Sequence, residues 1–332
     1  MTDNIRVLAI TAEKNPSPCI KDQLQALEQM GITVEQLELD RSQKFFYLKA
    51  AWQVFRMSFQ PQRFDAIHAF YGYCGLIARM QFRSPVIITF QGSDLLGGKN
   101  GLMHRKDGLV GSLVVRLVDG VIVMSPEMKQ YSPHEHTFVI PFGVNTQIFK
   151  PSPKTEARRK LQLPADTKLI LFPWNPDRPE KNYHIAEAAV RILQQADSQV
   201  QLVALYNKPR EIVAQYMNAC DAMVCVSDHE GSPMAIREAL ACNLPIVSAP
   251  VGDVAQLIED VDGCYVCQPE PQDVADKLRR VLNAQQRTQS MQKMVKMDVA
   301  WAAKQVLKVY ERICQKQDSV KDMNTQPDNS RA

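Results

Sequence analysis

The sequence predicts an α/β protein built as two doubly wound domains. Short runs rich in Val, Ile and Phe alternate with segments of helical period from the start, and the rhythm pauses at a turn-rich stretch before it resumes. A chain of 332 residues, 45% of them hydrophobic, is long enough for two separate cores. Strands that are apolar throughout point to mainly parallel sheets covered on both faces.

The first domain opens with a strand over Arg6–Thr11, a helix over Cys19–Met30 and a strand over Ile32–Leu39. Further strands are expected at Ala66–Ala69, Val86–Phe90, Gly120–Met124 and Phe138–Ile140, with a Gly-containing helix at Tyr73–Met80. From Ile140 to Pro151 the chain is rich in turn formers and punctuated by proline, as a linker would be. The second domain carries strands at Lys168–Phe172, Val200–Leu205, Ala222–Val226 and Ile246–Ser248, then a helix near Val274–Asn283. Trp301, Val306, Val309, Tyr310 and Ile313 mark a long amphipathic helix. The expected division is 1–145 with helix 299–316, then 146–298, with 317–332 a polar disordered tail.

One segment carries most of the chemistry. The apolar run Ala222–Val226 ends at Ser227 and Asp228, Glu230 follows in the turn, and Ser232-Pro233 reads as a helix start. The first-turn N–H groups around Met234 and Ala235 make a natural anion site. Glu238 lies inside that helix and shares an apolar side with Ala241 and Cys242, so its carboxylate needs a partner such as a ribose hydroxyl. Taken alone, two glutamates eight positions apart favour the plainer reading, a loop carboxylate and a solvated helix charge.

Glu230, seven intervening residues and Glu238, continuing through Ala239-Leu240-Ala241-Cys242-Asn243-Leu244-Pro245, resemble the E-x7-E signature of retaining GT-B glycosyltransferases of family 4. With Val251-Gly252-Asp253-Val254 the stretch is similar to members that build exopolysaccharide or cell-wall polysaccharide. The resemblance implies two Rossmann-like domains facing a central cleft, with the C-terminal helix crossing back to the N-terminal domain. It also implies Glu230 on the donor sugar and Glu238 on the nucleotide ribose. Ile140–Pro151 resembles the family's hinge, with Phe142 and Asn145 as departures.

In Trp174–Asn182 a cation pair in the family clamps the donor diphosphate. Lys181 matches the family lysine, but Asn175 stands at the usual arginine position, which leaves Arg178 as the substitute. Val86–Leu95 resembles a strand and loop that normally reads Thr-Phe-His-Gly-Ser-Asp. Here Gln91 replaces the histidine, and Asp94 is kept. In a front-face retaining mechanism the leaving phosphate can itself accept the acceptor's proton, so Gln91 is compatible with transfer. His68 reads as a strand-end histidine satisfied by backbone, not as a site residue.

Asp260-Val261-Asp262 has the D-x-D form of metal-dependent enzymes of another fold, but Gly263 makes it a helix-end turn with a glycine C-cap. No metal and no cofactor beyond a nucleoside diphosphate sugar is expected. Cys264 and Cys267 form a lone CxxC on a short strand-like run, without the second pair a zinc site needs.

A formal charge of +3 gives no case for nucleic acid. Between Arg41 and Arg116, however, eleven Lys and Arg face three Asp. Segment 41–63 adds Phe45, Phe46, Tyr47, Trp52, Phe55 and Phe59, which residue by residue favour core aromatics on a half-solvated helix, with peripheral contact with an anionic membrane left open for the segment as a whole. The first apolar run, Val7–Ile10, is too short for a signal or spanning segment, so a cytoplasmic protein is expected, with peripheral contact at the inner membrane face left open.

The function these features predict is transfer of a sugar from a nucleoside diphosphate to a hydroxyl of a glycan or lipid-linked acceptor. Two alternatives remain: a catalytically weak family member acting as a partner or regulatory subunit, suggested by Gln91 and Asn175, and a GT-B sugar-nucleotide epimerase.

Overall fold

The computed structural model describes residues 5–40, 45–61, 63–96 and 102–325. It comprises two compact units, one of residues 1–142 with 300–332 and one of 143–299. Unit 1 holds six parallel strands: β1 (Arg6–Thr11), β2 (Thr33–Glu38), β3 (Ala66–Phe70), β4 (Val86–Thr89), β5 (Gly120–Val123) and β6 (Thr137–Val139). Their order is β2-β1-β3-β4-β5-β6. Unit 2 holds β7 (Lys168–Phe172), β8 (Val200–Ala204), β9 (Ala222–Cys225), β10 (Ile246–Ser248) and β11 (Tyr265–Val266), ordered β11-β10-β9-β7-β8. Every pairing between strands is parallel, as the apolar runs require, because helices cover both faces. Central strands such as β4 and β9 are buried at every position, whereas β2, at an edge, carries exposed Glu35 and Gln36.

The chain crosses between the units at 142–143 and again at 299–300. Within unit 2 the two crossing segments run side by side, with Val144 N–H donating to Met297 O and Val299 N–H donating to Val144 O, each at 3.2 Å. Gly143 makes this possible, since a Cβ there would sit 2.2 Å from the Asp298 carbonyl oxygen. The last helix, Val299–Thr325, packs into unit 1 through Ala303, Val306 and Tyr310. It runs past residue 316, so 317–325 is helical where a disordered tail was expected, and 326–332 lies outside the described residues.

His68 departs from its expected role. It sits within β3, fully buried, and its ring bonds the Tyr310 hydroxyl and the Thr89 hydroxyl at 2.7 Å each, not backbone. One hydroxyl donates to the neutral ring and the other accepts from it. Burial pushes its pKa down to about 3. The unfolded chain therefore takes up a proton near pH 6.5 that the folded chain refuses, so stability is full above that pH and falls as pH drops from about 6.5 toward 3, by up to about 1.4 kcal/mol per unit. Melting temperature against pH should show this slope, and His68→Gln should flatten it. An unchanged slope would remove His68 as the cause.

The aromatic segment also departs from a core reading. Helix Phe46–Met57 buries Ala50 and Val54 and turns Trp52 outward, with Phe45 and Phe59 exposed beside it. Residues 41–44 and 62 of that segment lie outside the described residues.

Candidate functional site

In unit 2 the chain passes from β7 outward to β8, then returns to the other side of β7 for β9, β10 and β11. Order reverses between β7 and β9, and at such a switch point the loops leaving two neighbouring strands diverge to open a crevice at their C-terminal ends. The loops after β7, β9 and β10 meet there. Asn182, held at φ 52°, donates through Nδ2 to Val226 O at 3.0 Å and Asp228 Oδ1 at 2.7 Å, and Asp228 N–H donates to Glu180 O at 2.9 Å.

This stitching places Lys181 against Glu230. The lysine comes from the short helical turn Pro179–Lys181 after β7, and the glutamate from the turn after β9. Nζ forms an ion pair with Glu230 Oε1 and lies 5.2 Å from the ring centroid of Trp174. Their side chains are 5% and 15% exposed, so the pair is nearly dry yet reachable through the glutamate. A buried pair held between two loops keeps both side chains in place before any ligand arrives.

A second buried pair supports the first, and sequence reading missed it. Arg237, on helix Met234–Ala241, is completely buried and ion-paired to Asp253 of the loop after β10. Its Nε donates to Ser232 Oγ at 3.0 Å, and that hydroxyl donates to Asp253 Oδ2 at 3.0 Å. Gly252, at φ +56°, passes so close to the turn that a Cβ would sit 2.6 Å from Gly231 O and 3.0 Å from Glu230 O. The loop after β10 thus braces the backbone that carries Glu230.

Ser232 is therefore not the helix cap. Pro233 occupies the cap position, no side chain caps the helix, and the serine hydroxyl belongs to the Arg237–Asp253 network. Met234 and Ala235 open the helix, where first-turn N–H groups have no partner within it. Both are partly exposed, and so is Glu238 one turn on, while Ile236, Arg237, Ala239, Leu240 and Ala241 are buried. Arg178 lies on an exposed turn and is ion-paired to Glu180 at 2.5 Å. Asn175 organises that turn, its Oδ1 accepting from Asp177 N–H at 3.1 Å.

Unit 1 has its own switch point between β1 and β3. A cavity of about 320 Å³ opens there, lined by Thr11, Glu13, Ser17, Tyr71 and Gln91 among others. Tyr71 holds φ 90°, a left-handed value costly for a bulky residue, which marks it as a candidate the sequence did not suggest. Asp94 is buried, and its Oδ1 accepts from Gln91 N–H at 3.0 Å and Gly92 N–H at 2.8 Å. The carboxylate thus shapes the loop that presents Gln91.

A larger concavity of about 780 Å³, lined by Asp260, Tyr265, Arg287 and Lys296 among others, opens beside the entry to β11. It shares no residue with the loops leaving β7, β9 and β10, where the ion pairs and free helix N–H groups gather. Asp260 is ion-paired to Lys293 at 2.5 Å. The helix before it, Val254–Ile258, has Glu259 at its C-cap, and Gly263, at φ 85°, turns the chain into β11 instead of capping that helix. Among the described residues no group of three or more His, Cys, Asp or Glu could hold a metal ion. Burial pushes Cys264 and Cys267 up to about 12, so both are neutral thiols near pH 7.

The family model "Glycosyl transferase 4-like domain" matches residues 3–143, and "Glycosyl transferases group 1" matches 158–284. The chain is 25% identical over 275 residues to a D-inositol 3-phosphate glycosyltransferase of Thermobispora bispora, covering 68% of this chain and 64% of that one. It is 19% identical over 287 residues to the N-acetyl-alpha-D-glucosaminyl L-malate synthase of Bacillus anthracis, covering 76% and 75%. The chain spans 60–64% of the length of the inositol phosphate relatives from Thermobispora, Geodermatophilus and Streptosporangium. In fold it is similar to sucrose-phosphate synthase of Thermosynechococcus elongatus, with TM-score 0.69, 18% identity and coverage of 96% and 99%. It is also similar to Anabaena HepE in complex with UDP-glucose, with TM-score 0.65, 19% identity and coverage of 95% and 100%. With two family models spanning most of its length and two parallel sheets of the matching architecture, the chain belongs to the GT-B glycosyltransferases of family 4.

Proposed function

We propose that this chain moves a sugar from a nucleoside diphosphate to a hydroxyl of a glycan or lipid-linked acceptor, with retention of anomeric configuration. The observation that carries the proposal is the buried Lys181–Glu230 pair at the switch point of unit 2. A diphosphate brings two acidic groups to the first-turn N–H groups of Met234 and Ala235. Lys181 offsets the charge that grows on the leaving diphosphate as the glycosidic bond breaks. Glu230 accepts from a sugar hydroxyl, and Glu238, on the accessible side of the same helix, accepts from the ribose. Arg178 can exchange Glu180 for phosphate and supply a second cation. HepE, a neighbour in fold, is described in complex with UDP and with UDP-glucose, which supports the donor class. The acceptor hydroxyl belongs to the crevice of unit 1, where Gln91 can hydrogen-bond it. Its proton passes to the departing phosphate oxygen as the new bond forms, so no histidine base is needed.

Lys181→Ala tests the donor side. Binding of nucleoside diphosphate should weaken about tenfold or more, as expected for a lost charge-assisted contact of at least about 1.4 kcal/mol, while binding of the bare nucleoside stays within about twofold. Calorimetry on both ligands, with melting curves as a fold control, gives the comparison. Equal losses for the two ligands would rule out a phosphate contact. Wild-type protein that binds donor but neither transfers nor hydrolyses it, across acceptors and membrane extract, would favour the partner-subunit alternative. Epimerised sugar nucleotide formed without acceptor would favour the epimerase.

A further inference from the structure

We propose that helix Phe46–Met57 and the turn at Phe82 form a face that docks unit 1 on an anionic lipid surface. A surface helix normally keeps its large apolar side chains on the inward side, and this one leaves several of them outside as well. Its inner side is Ala50 and Val54, whereas Leu48, Trp52 and the flanking Phe45 and Phe59 face out, Trp52 at 61% and Phe59 at 70% exposure. The rings form a connected patch, with Trp52 and Phe55 centroids 5.7 Å apart and Phe55 and Phe59 5.2 Å apart. Arg83 donates to Ser58 O at 3.0 Å and Gln60 O at 2.8 Å, which fixes the turn carrying Phe82, 73% exposed, beside the helix end.

Charge identifies the occupant. Lys49 and Arg56 are exposed among these apolar side chains, and from Phe45 to Phe64 the chain contains three basic residues, Lys49, Arg56 and Arg63, and no acid. Aromatics that enter the interfacial region beside cations that meet phosphate headgroups are the chemistry of a helix lying in a bilayer surface. A second copy of the chain fits poorly, because a two-fold contact would set Lys49 and Arg56 against the same cations. The first turn of the same helix also reaches the crevice of unit 1. Tyr47 lies 5.7 Å from Tyr73, which lies 6.2 Å from Tyr71 in the crevice wall. A lipid-borne acceptor could thus reach that crevice from the bilayer, a consequence that rests on the acceptor reading above, whereas the docking itself does not.

Flotation of the full chain tests the docking, with vesicles of phosphatidylcholine alone and of phosphatidylcholine mixed with phosphatidylglycerol. Binding is expected to the mixture, to weaken with salt, and to be slight on phosphatidylcholine alone. Trp52→Ser with Phe59→Ser, and separately Lys49→Glu with Arg56→Glu, should each lower partition about tenfold or more, since one basic side chain near an anionic surface is worth about fivefold. Nucleoside diphosphate binding in solution should be unchanged in both variants, which separates this surface from the donor site. Brominated lipids should quench wild-type fluorescence more than that of Trp52→Phe. The proposal is overturned by absence of binding to the mixed vesicles, by binding that both double variants retain, or by a wild-type dimer that Trp52→Ser with Phe59→Ser converts to monomer.

Discussion

Replacing Glu230 with glutamine should lower the transfer rate by about 10²- to 10³-fold, the range seen when one preorganised polar group is removed from a reacting centre. The amide keeps the shape of the side chain and one oxygen that can accept from Lys181 or a sugar hydroxyl. What disappears is the negative charge that holds Lys181 in position beside Trp174. Breaking a buried pair also costs stability, so part of any rate loss could come from unfolding, and the assay must separate the two. Lys181→Met combined with Glu230→Gln does this, because removing both charges should recover stability lost by the single variant while leaving transfer low. Kinetics on the folded fraction, with melting curves for all three proteins, checks the result. Near-normal transfer by Glu230→Gln would remove the glutamate from the reacting centre.

Arg237→Ala should destabilise unit 2 by about 3–5 kcal/mol, the usual cost of leaving a buried charge without its partner. Against a typical total of about 5–15 kcal/mol for a folded domain this is a large share. Asp253 would keep its burial but lose the guanidinium, and Ser232 would lose the donor that fixes its hydroxyl. Urea denaturation should show a lower midpoint with an unchanged slope. Arg237→Met with Asp253→Leu should cost less than Arg237→Ala, since two apolar residues leave no charge stranded. A loss below about 1 kcal/mol for Arg237→Ala would mean the pair is open to water and does not brace the turn.

The strands were legible because a parallel strand covered on both faces must be apolar throughout, as Val7–Ile10 and Ala222–Val226 are. Lys181 and Glu230 could be picked individually, but their pairing depends on which strands are neighbours, and only the order β9-β7 brings them together. Arg237 was overlooked because a helix arginine reads as solvated. Its spacing from Leu240 and Ala241, three and four residues on, put it on the buried side all along. The aromatic helix misled for a related reason. Periodicity identifies a face but not the direction it points, and small Ala50 and Val54 proved to be the inner side. His68 and Tyr310 are too far apart in sequence for any local pattern to join them.

The return of the last helix into unit 1 sets an order for events at the ribosome. Residues 143–299 form a continuous unit that can close as soon as they emerge, but unit 1 cannot finish until the segment bearing Tyr310 and Ile313 has been made. Until then His68 lacks the hydroxyl on its Nδ1 side, and the surface over Gly120 that Ile313 fills stays bare. At about 5–20 residues per second, the part of unit 1 made first waits roughly ten to thirty seconds for the part made last. Its apolar strands are open to misassociation during that interval, so a chain cut short before the last helix should fail in its N-terminal half, far along the sequence from the cut.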